Sequence, residues 1–380
     1  MWEGNMGLHI NRRQWLKTSA FAVAGLIASP SFIACRGQTS APLSDSELDS
    51  FIRIDSNESP YGISKAAWEA IGSSIGQSNR YPHRHYPELK KLIAERENVT
   101  PDHIILGAGS TEVMTTLIHL SSTKGEILIA DPTYFDFVYY AIKSDCPLTK
   151  VRLNAHFEHD VDAMGNQIRS QTSLVYICNP NNPTGSITPK DKLLSFCDQA
   201  SQKALVVVDE AYHEYVNDPA YSSMTELVRE GKNVVITRTF SKIFGLAGLR
   251  IGYGMAKPEI VKELKKLERN FAPIAWLSLK AAIASYQDRP FIQDVREKNE
   301  EVKLYLYEEL KRLGYFYIPS HTNFVLFKVR QDALRMVREL KERHILVRAF
   351  GINGDQWIRA SLGSFEEMQA FVVALEEISS

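Results

Sequence analysis

One lysine of this sequence stands among small residues and hydroxyls. Lys242 follows Thr239 and Ser241 closely, and Arg250 lies eight positions further along the chain. The β-branched run at 233–237 predicts a buried strand, so we expect Lys242 on the turn that leaves it rather than on a solvated helix face. A lysine that projects from a strand end into an enclosed space can lose its proton and attack a carbonyl. Taken alone, the pattern also fits an exposed lysine in a glycine-containing loop.

Two other predicted strands, at 173–178 and 204–208, also end in polar sequence. The first is followed by Asn-Pro-Asn-Asn-Pro-Thr-Gly, which contains Asn182, and the second by Asp209 and Tyr212. Ligands of open α/β sheets bind outside the carboxyl ends of the strands. We therefore expect an amide, a carboxylate, a phenol and a lysine to meet at one edge of a sheet.

This order of groups resembles the fold-type I, pyridoxal-phosphate-dependent aminotransferases of class I and II. The run Arg-Thr-x-Ser-Lys-x-x-Gly-Leu-Ala-Gly-Leu-Arg, from Arg238 to Arg250, is most similar to the histidinol-phosphate aminotransferase branch. The likeness extends from about residue 52 to about 375 and includes the segment at 51–62, where Ser59 stands in place of the usual asparagine. The resemblance implies pyridoxal 5'-phosphate as cofactor, an amino donor and a 2-oxo acid acceptor as small-molecule partners, and a homodimer.

The elements that must position these groups follow a simple alternation. Strands near 127, 174, 205 and 234 are separated by segments with helical patterns. That alternation predicts an α/β fold with a mostly parallel sheet covered by helices on both faces. The resemblance implies that the sheet is of the aspartate aminotransferase type.

A second, smaller unit is expected after this sheet. The charged, amphipathic stretch at 290–313 predicts a connecting helix that ends at Gly314. Strand-like runs and two helical patterns after Gly314 indicate a compact α+β unit. We therefore predict an N-terminal arm with a large cofactor-binding domain at 50–285, and the connecting helix with a small C-terminal domain at 286–380.

A phosphate site is predicted where the glycine-rich run after the strand at 103–106 enters a helix. Gly107 and Gly109 permit close backbone approach, and the amides of Ser110 and Thr111 at a helix N-terminus favour a phosphate. Glu112 stands where a dinucleotide fold would need a third glycine, so a single cofactor phosphate is the better interpretation.

The resemblance assigns roles to the residues around the cofactor. Lys242 would hold it as a Schiff base and then transfer a proton, while Asp209 would pair with the pyridinium nitrogen. Asn182 and Tyr212 would contact the phenolic oxygen of the ring. Further cofactor contacts are implied for Ser110, Thr111, Thr239, Ser241 and Arg250 at the phosphate, for Tyr134 stacked on the pyridine ring, and for Tyr81, which would reach the phosphate of the neighbouring subunit.

Substrate contacts are implied for four residues. Arg359 lies in the strand-like run at 357–361 and is the family's clamp for the α-carboxylate. Arg348 is the candidate for a distal anion such as a substrate phosphate, although an ordinary surface arginine fits equally well. Tyr61 and Asn182 complete the expected substrate site.

Several reactions stay open at this point. Transamination of a histidinol-phosphate-type donor with 2-oxoglutarate is the first hypothesis. A decarboxylase of the threonine-phosphate type and an aromatic amino acid aminotransferase are alternatives, because side-chain selectivity depends on pocket shape. A non-catalytic pyridoxal-binding protein would need a broken set of residues, whereas each position named above keeps a competent one.

The composition limits the classes of binding partner that we expect. A net charge of −1 gives no electrostatic case for nucleic acid, and four scattered cysteines indicate neither a disulfide framework nor a metal site.

Residues 1–40 resemble a leader: Arg12 and Arg13 precede an apolar segment that is too short to span a membrane. The pattern is similar to a twin-arginine export signal, which predicts a periplasmic or envelope location, with Cys35 a candidate for lipidation. A cytoplasmic enzyme with an uncleaved leader is the alternative.

Overall fold

A computed structural model of the chain describes Leu48 and residues 50–267 and 273–379. The predicted leader, with Arg12, Arg13 and Cys35, lies outside the described residues. Within the described ranges, no helix combines the length and the apolar character that crossing a membrane requires.

Apart from a pair of successive helices and a pair of successive strands, the elements of the first two thirds of the chain alternate between strand and helix. They are β1 (Ile52–Arg53), α1 (Lys65–Ser74), α2 (His85–Glu97), β2 (Ile104–Gly107), α3 (Ser110–Ser122), β3 (Glu126–Asp131), α4 (Phe135–Lys143), β4 (Leu148–Arg152), α5 (Val161–Gln167), β5 (Thr172–Cys178), α6 (Lys190–Ser201), β6 (Leu205–Asp209), α7 (Thr225–Arg229), β7 (Val234–Thr239), β8 (Gly252–Ala256) and α8 (Pro258–Lys266). The last third contains α9 (Trp276–Gln287), α10 (Arg289–Arg312), β9 (Tyr317–Ile318), β10 (Phe324–Val329), α11 (Ala333–Glu342), β11 (Ile345–Leu346), β12 (Arg348–Ile352), β13 (Asp355–Ser361) and α12 (Phe365–Ser379).

In the described part of the chain, seven strands form the larger sheet, in the order β2-β8-β7-β6-β5-β3-β4. Successive residues of its strands pack into two different cores: Val206 and Val208 into one, Val207 into the other. A sheet covered on both faces needs apolar residues at nearly every position, which explains the continuous β-branched runs. The predicted mostly parallel α/β sheet is confirmed.

Strand β8 is the exception to the parallel arrangement. It lies antiparallel to both β2 and β7. No local pattern predicts this strand, because Gly252 and Gly254 lower the strand propensity of the short segment.

The smaller sheet is antiparallel, in the order β12-β13-β10-β9, and packs with α10, α11 and α12 around a separate core. Helix α10 begins where the Asp288 side chain accepts from the Phe291 amide, and it ends just before Gly314, which has a φ of 75°. Strand β1 of the N-terminal arm pairs in parallel with β11 of this unit. The arm therefore passes along the C-terminal unit before it reaches the larger sheet.

Helix α3 begins at Ser110, so Ser110 lies in its first turn, as the predicted phosphate site requires. One local detail differs from the sequence-based expectations. Arg348 begins strand β12 and is the register partner of Arg359 in β13, whereas only Arg359 was expected in a strand.

Candidate active site

The carboxyl ends of β5, β6 and β7 open into a cavity of about 420 Å³. Polar side chains from both sheets and from the N-terminal arm line it. Of the predicted site residues, it brings together Ser110, Thr111, Tyr134, Asn182, Asp209, Tyr212, Thr239, Ser241, Lys242, Arg250, Arg348 and Arg359. Tyr61 and Tyr81 lie elsewhere.

Lys242 lies in the turn after β7 with its side chain half-buried in this cavity. Its Nζ donates to the carbonyl oxygen of Asn57 at 3.1 Å and lies 5.7 Å from the centre of the Tyr212 ring. Burial, reinforced by the positive charge of Arg359, lowers the pKa of Lys242 to about 8. At pH 7 about a tenth of the amine is therefore neutral and nucleophilic, a far larger fraction than for an exposed lysine.

Asp209 is the last residue of β6 and is almost completely buried. Tyr176 Oη donates to one carboxylate oxygen and Thr237 Oγ1 to the other, each at 3.0 Å. Burial raises the pKa of Asp209 to about 6, and these two hydrogen bonds oppose that rise. A buried carboxylate held in one orientation can stabilise a protonated ring nitrogen in the cavity.

Arg359, Asn182 and Tyr212 form a connected polar network. Arg359 Nη1 donates to Asn182 Oδ1 at 2.8 Å, and its Nη2 donates to the Asp55 carbonyl oxygen at 2.7 Å. Asn182 Nδ2 donates to Tyr212 Oη at 3.4 Å. Burial raises the pKa of Tyr212 above its ordinary value, so the phenol keeps its proton.

The opposite end of the cavity suits an anion. Ser110 begins α3, where backbone amides point outward. Thr239 Oγ1 donates to Ser241 Oγ at 2.9 Å, and Arg250 Nη1 lies 3.4 Å from the same Ser241 oxygen. Thr111 lies beside Ser110 at the cavity wall. Hydroxyls, helix amides and a guanidinium together match a phosphate dianion.

Two glycines keep this end open. Gly109 precedes α3 with a φ of 82°, and a Cβ there would lie 2.6 Å from Arg250 Nη2. A Cβ on Gly252 would lie 2.3 Å from the Ser110 amide nitrogen. The backbone can therefore approach the anion only because neither position carries a side chain.

Two predicted residues lie at the sides of the cavity. Tyr134 precedes α4, and its hydroxyl donates to Asp136 Oδ2 at 2.8 Å. Burial raises the pKa of Tyr134. Arg348 is exposed at the rim, with its Nε 4.0 Å from Asp55 Oδ2.

The two tyrosines outside the cavity have different surroundings. Tyr61 packs against the core of the larger unit, with Lys298 Nζ 5.5 Å from its ring centre. Tyr81 is 78% exposed and lines a separate surface pocket with Arg84 and Trp276. Within one chain, neither ring belongs to the cavity that holds Lys242.

Sequence reasoning missed Asn57 as a residue of the site. It lies in the N-terminal arm with a φ of 54°, is 2% exposed, and donates from Nδ2 to Tyr212 Oη at 2.9 Å. Its amide nitrogen donates to Ser361 Oγ, 304 positions away in the sequence. Only its place in the family-like segment at 51–62 offered a signal, because no local periodicity reports a contact at that separation.

The described cysteines Cys146, Cys178 and Cys197 are free and buried. Among the described residues, no three metal-binding side chains cluster. Burial raises the pKa of Cys178, which lines the cavity, so its thiol is a poor nucleophile there.

The fold and the site together define a class I and II aminotransferase. The model of the family described as "Aminotransferase class I and II" matches residues 49–375, and the chain belongs to that family. It is a pyridoxal-phosphate-dependent enzyme of the histidinol-phosphate aminotransferase type.

Individual relatives agree with this assignment. Histidinol-phosphate aminotransferase of Moorella thermoacetica is 37% identical over 330 residues, covering 86% of this chain and 85% of that protein. The crystal structure of histidinol-phosphate aminotransferase from Sinorhizobium meliloti in complex with pyridoxal-5'-phosphate has a TM-score of 0.81 and 26% identity, covering 90% of this chain and 96% of that one. A Thermus thermophilus aspartate aminotransferase variant, 20% identical, shares the fold with a TM-score of 0.77 over 89% of this chain and all of its own, 100%.

The residues present fit pyridoxal phosphate. The hydroxyls and Arg250 beside Gly109 suit its phosphate, the buried carboxylate of Asp209 suits its ring nitrogen, and the amine of Lys242 suits its aldehyde. Each of these groups lines the same cavity. The chain therefore supplies a partner for every polar end of the cofactor.

Proposed function

We propose that this enzyme transfers the amino group of a histidinol-phosphate-type donor to 2-oxoglutarate. The observation that carries the proposal is the pair of arginines in one cavity with Lys242: Arg359 is buried, and Arg348 is exposed at the rim. The names of the relatives support the same donor. Two cations at different depths suit 2-oxoglutarate, which carries a carboxylate at each end, and either cation can bind the single phosphate of the donor.

The reaction needs the proton at the substrate Cα to be moved within the cavity. When bound, the cofactor supplies an electron sink for the charge that develops at that carbon. Lys242, whose pKa is about 8, can both accept and return a proton near neutral pH. Asp209 would keep a proton on the ring nitrogen of the bound cofactor, and Tyr212 would contact its phenolic oxygen.

The arginines divide the task of substrate binding. Arg359 is held by Asn182 and the Asp55 carbonyl, so its planar group is already oriented to bind a carboxylate of 2-oxoglutarate. Among the described residues, the charged partner of Arg348 is Asp55 at 4.0 Å, a loose contact that lets the guanidinium turn toward a distal anion. That anion is the phosphate of the donor in one half of the reaction and the second carboxylate of the acceptor in the other.

The alternatives differ in the bond that is cleaved or in the side chain that is accepted. A decarboxylase of the threonine-phosphate type would use the same cofactor residues, with the substrate carboxylate oriented for release. An aromatic donor is favoured by Tyr134 and Phe350, whose rings line the cavity. A non-catalytic binding protein would lack a Lys242 adduct that borohydride can reduce.

A panel of amino donors incubated with 2-oxoglutarate tests the proposal. We expect glutamate to form fastest with histidinol phosphate, ahead of histidinol, tyrosine and phenylalanine. Arg348→Gln should reduce the rate with histidinol phosphate much more than with phenylalanine, whereas the same change at exposed Arg330 should leave both rates unchanged. Carbon dioxide release without glutamate, or equal rates with histidinol and histidinol phosphate, would contradict it.

We also propose that the enzyme is a homodimer in which Tyr81 completes the cofactor site of the neighbouring subunit. Tyr81, Trp68 and Ile75 are 78%, 70% and 64% exposed, an apolar content typical of an interface. Light scattering should give twice the chain mass. Mixing inactive Lys242→Ala with impaired Tyr81→Phe should restore part of the activity, and a monomeric, fully active protein would refute the arrangement.

Export through the twin-arginine route is a separate proposal, supported by Arg12 and Arg13 before the apolar segment. We expect the processed protein in the periplasmic or membrane fraction, with lipid on Cys35 if that residue becomes the mature terminus. Replacing both arginines with lysine should retain the protein in the cytosol. Full processing of that variant would rule out this route.

A further inference from the structure

Asn57 occupies a position where the N-terminal arm meets both sheets. Its φ of 54° is in the left-handed region, which asparagine tolerates better than most residues. The arm reaches this point after Ile54, whose amide donates to the Leu346 carbonyl oxygen beside the smaller sheet. Asn57 is 2% exposed, so each of its polar atoms needs a partner within the protein.

The partners fix which way the Asn57 amide points. Ser361 Oγ accepts from the Asn57 backbone amide at 2.8 Å and donates its hydrogen to Asn57 Oδ1 at 2.9 Å. The Asn57 carbonyl oxygen accepts from Lys242 Nζ at 3.1 Å and from Asn323 Nδ2 at 3.1 Å. Because Asn57 Oδ1 accepts from Ser361, the side-chain nitrogen Nδ2 faces Tyr212 and acts as a donor.

Tyr212 Oη consequently receives two amide donors. Asn57 Nδ2 lies 2.9 Å away and Asn182 Nδ2 lies 3.4 Å away. The ring itself is held edge-on against Phe324, with the centroids 5.3 Å apart, so rotation of the O–H bond is the main freedom left. An oxygen whose lone pairs are occupied by donors can only direct its own hydrogen outward.

We infer that Asn57 is a positioning residue that forces the Tyr212 hydroxyl to act as a hydrogen-bond donor into the cavity. The cofactor of the family carries an anionic phenolic oxygen, and a donor to that oxygen lowers its affinity for a proton. Asn57 thereby sets the pH at which the bound cofactor titrates. The inference needs the cofactor but no particular amino donor, so it stands or falls separately from the donor and acceptor proposed above.

The experiment is a pH titration of the visible absorbance of the purified, cofactor-loaded enzyme. Asn57→Gly keeps the left-handed backbone, the amide and the carbonyl but removes the side-chain donor. We expect the apparent pKa of the absorbance change to rise by roughly 0.5 to 1 unit, which corresponds to losing one ordinary hydrogen bond. The matched control Asn353→Gly, at an exposed turn with a φ of 53°, should not move it.

The same substitution in a Tyr212→Phe enzyme distinguishes a positioning role of Asn57 from a general structural effect of replacing it. In Tyr212→Phe the same Asn57→Gly change should cause no further shift, since there is no hydroxyl left to direct. Asn57→Asp, which keeps the shape and accepts the Tyr212 hydrogen, should raise the apparent pKa more than glycine does in the Tyr212 enzyme. An equal shift in both backgrounds, or no shift with either variant, would overturn the inference.

Discussion

Arg359 Nη1 donates to Asn182 Oδ1 across 2.8 Å and so joins a strand of the antiparallel sheet to the loop that follows β5. The other terminal nitrogen of Arg359 is held by the Asp55 carbonyl oxygen. The planar group is therefore fixed from two sides before any substrate arrives. A carboxylate that binds there contacts a cation that is already oriented, so binding does not have to order the Arg359 side chain.

Arg359→Lys tests that orientation. Lysine keeps the charge but cannot contact Asn182, the Asp55 carbonyl and a carboxylate in one plane. We expect kcat/KM for 2-oxoglutarate to fall by about 30- to 150-fold, equivalent to roughly 2–3 kcal/mol for a lost charge-assisted pair. Steady-state kinetics with Arg330→Lys as the exposed control should isolate the effect. A fall below threefold would mean that Arg359 acts only through its charge.

The lowered pKa of Lys242 predicts how the cofactor-free enzyme takes up pyridoxal phosphate. Only the neutral amine attacks an aldehyde, so the rate should increase with pH and level off above about 8, the pKa of Lys242. An exposed lysine would continue to gain rate up to about 10.4. Rapid-mixing absorbance at a series of pH values measures this, with Lys242→Ala as the variant that forms no adduct. A rate still increasing above pH 10 would contradict the burial argument.

Gly109→Ala should weaken cofactor binding more than it weakens the fold. The new methyl would lie 2.6 Å from Arg250 Nη2 and displace the guanidinium from the phosphate site. Gly354→Ala is the matched control, because its φ of 85° imposes similar strain while no atom lies within 4 Å. Each change should cost about 1–2 kcal/mol of stability through backbone strain. Only Gly109→Ala should raise the Kd of pyridoxal phosphate by about tenfold or more, measured by equilibrium dialysis.

Arg238 links the buried carboxylate of Glu210 to the half-buried carboxylate of Glu97. Its Nη1 lies 2.7 Å from Glu97 and its Nη2 lies 2.8 Å from Glu210. Arg238→Ala removes the cation that both carboxylates share, so we expect a loss of about 3–5 kcal/mol in the free energy of unfolding. Arg312→Ala, which breaks an exposed pair with Glu376, should barely move the urea midpoint. Similar midpoints for the two variants would show that the buried network contributes little.

The sequence was sufficient for those parts of the fold that depend on local patterns. β-branched runs identify β5, β6 and β7, and the polar residues after them indicate the edge where ligands bind. Each of those signals involves neighbouring residues. The resemblance to a known family added the roles of the residues around the cofactor, which spacing alone left open.

The missed features depend on contacts between distant segments. The pairing of β1 with β11 cannot be read from either two-residue strand, and neither can the bond between Asn57 and Ser361. Asn57 by itself indicates only a turn or an ordinary polar residue. Strand β12 escaped notice because Phe350-Gly351-Ile352 lacks a clear alternation of apolar and polar residues. These contacts depend on tertiary packing, which a single sequence does not reveal.

The bond between Asn57 and Ser361 also constrains how the protein is made. The ribosome synthesises the arm first, whereas Ser361, the last residue of β13, is made 304 residues after Asn57. The arm of a nascent chain therefore cannot form this bond until β13 has been synthesised. Chains that terminate before β13 lack both Ser361 and Arg359, so the growing polypeptide has no complete site before that point.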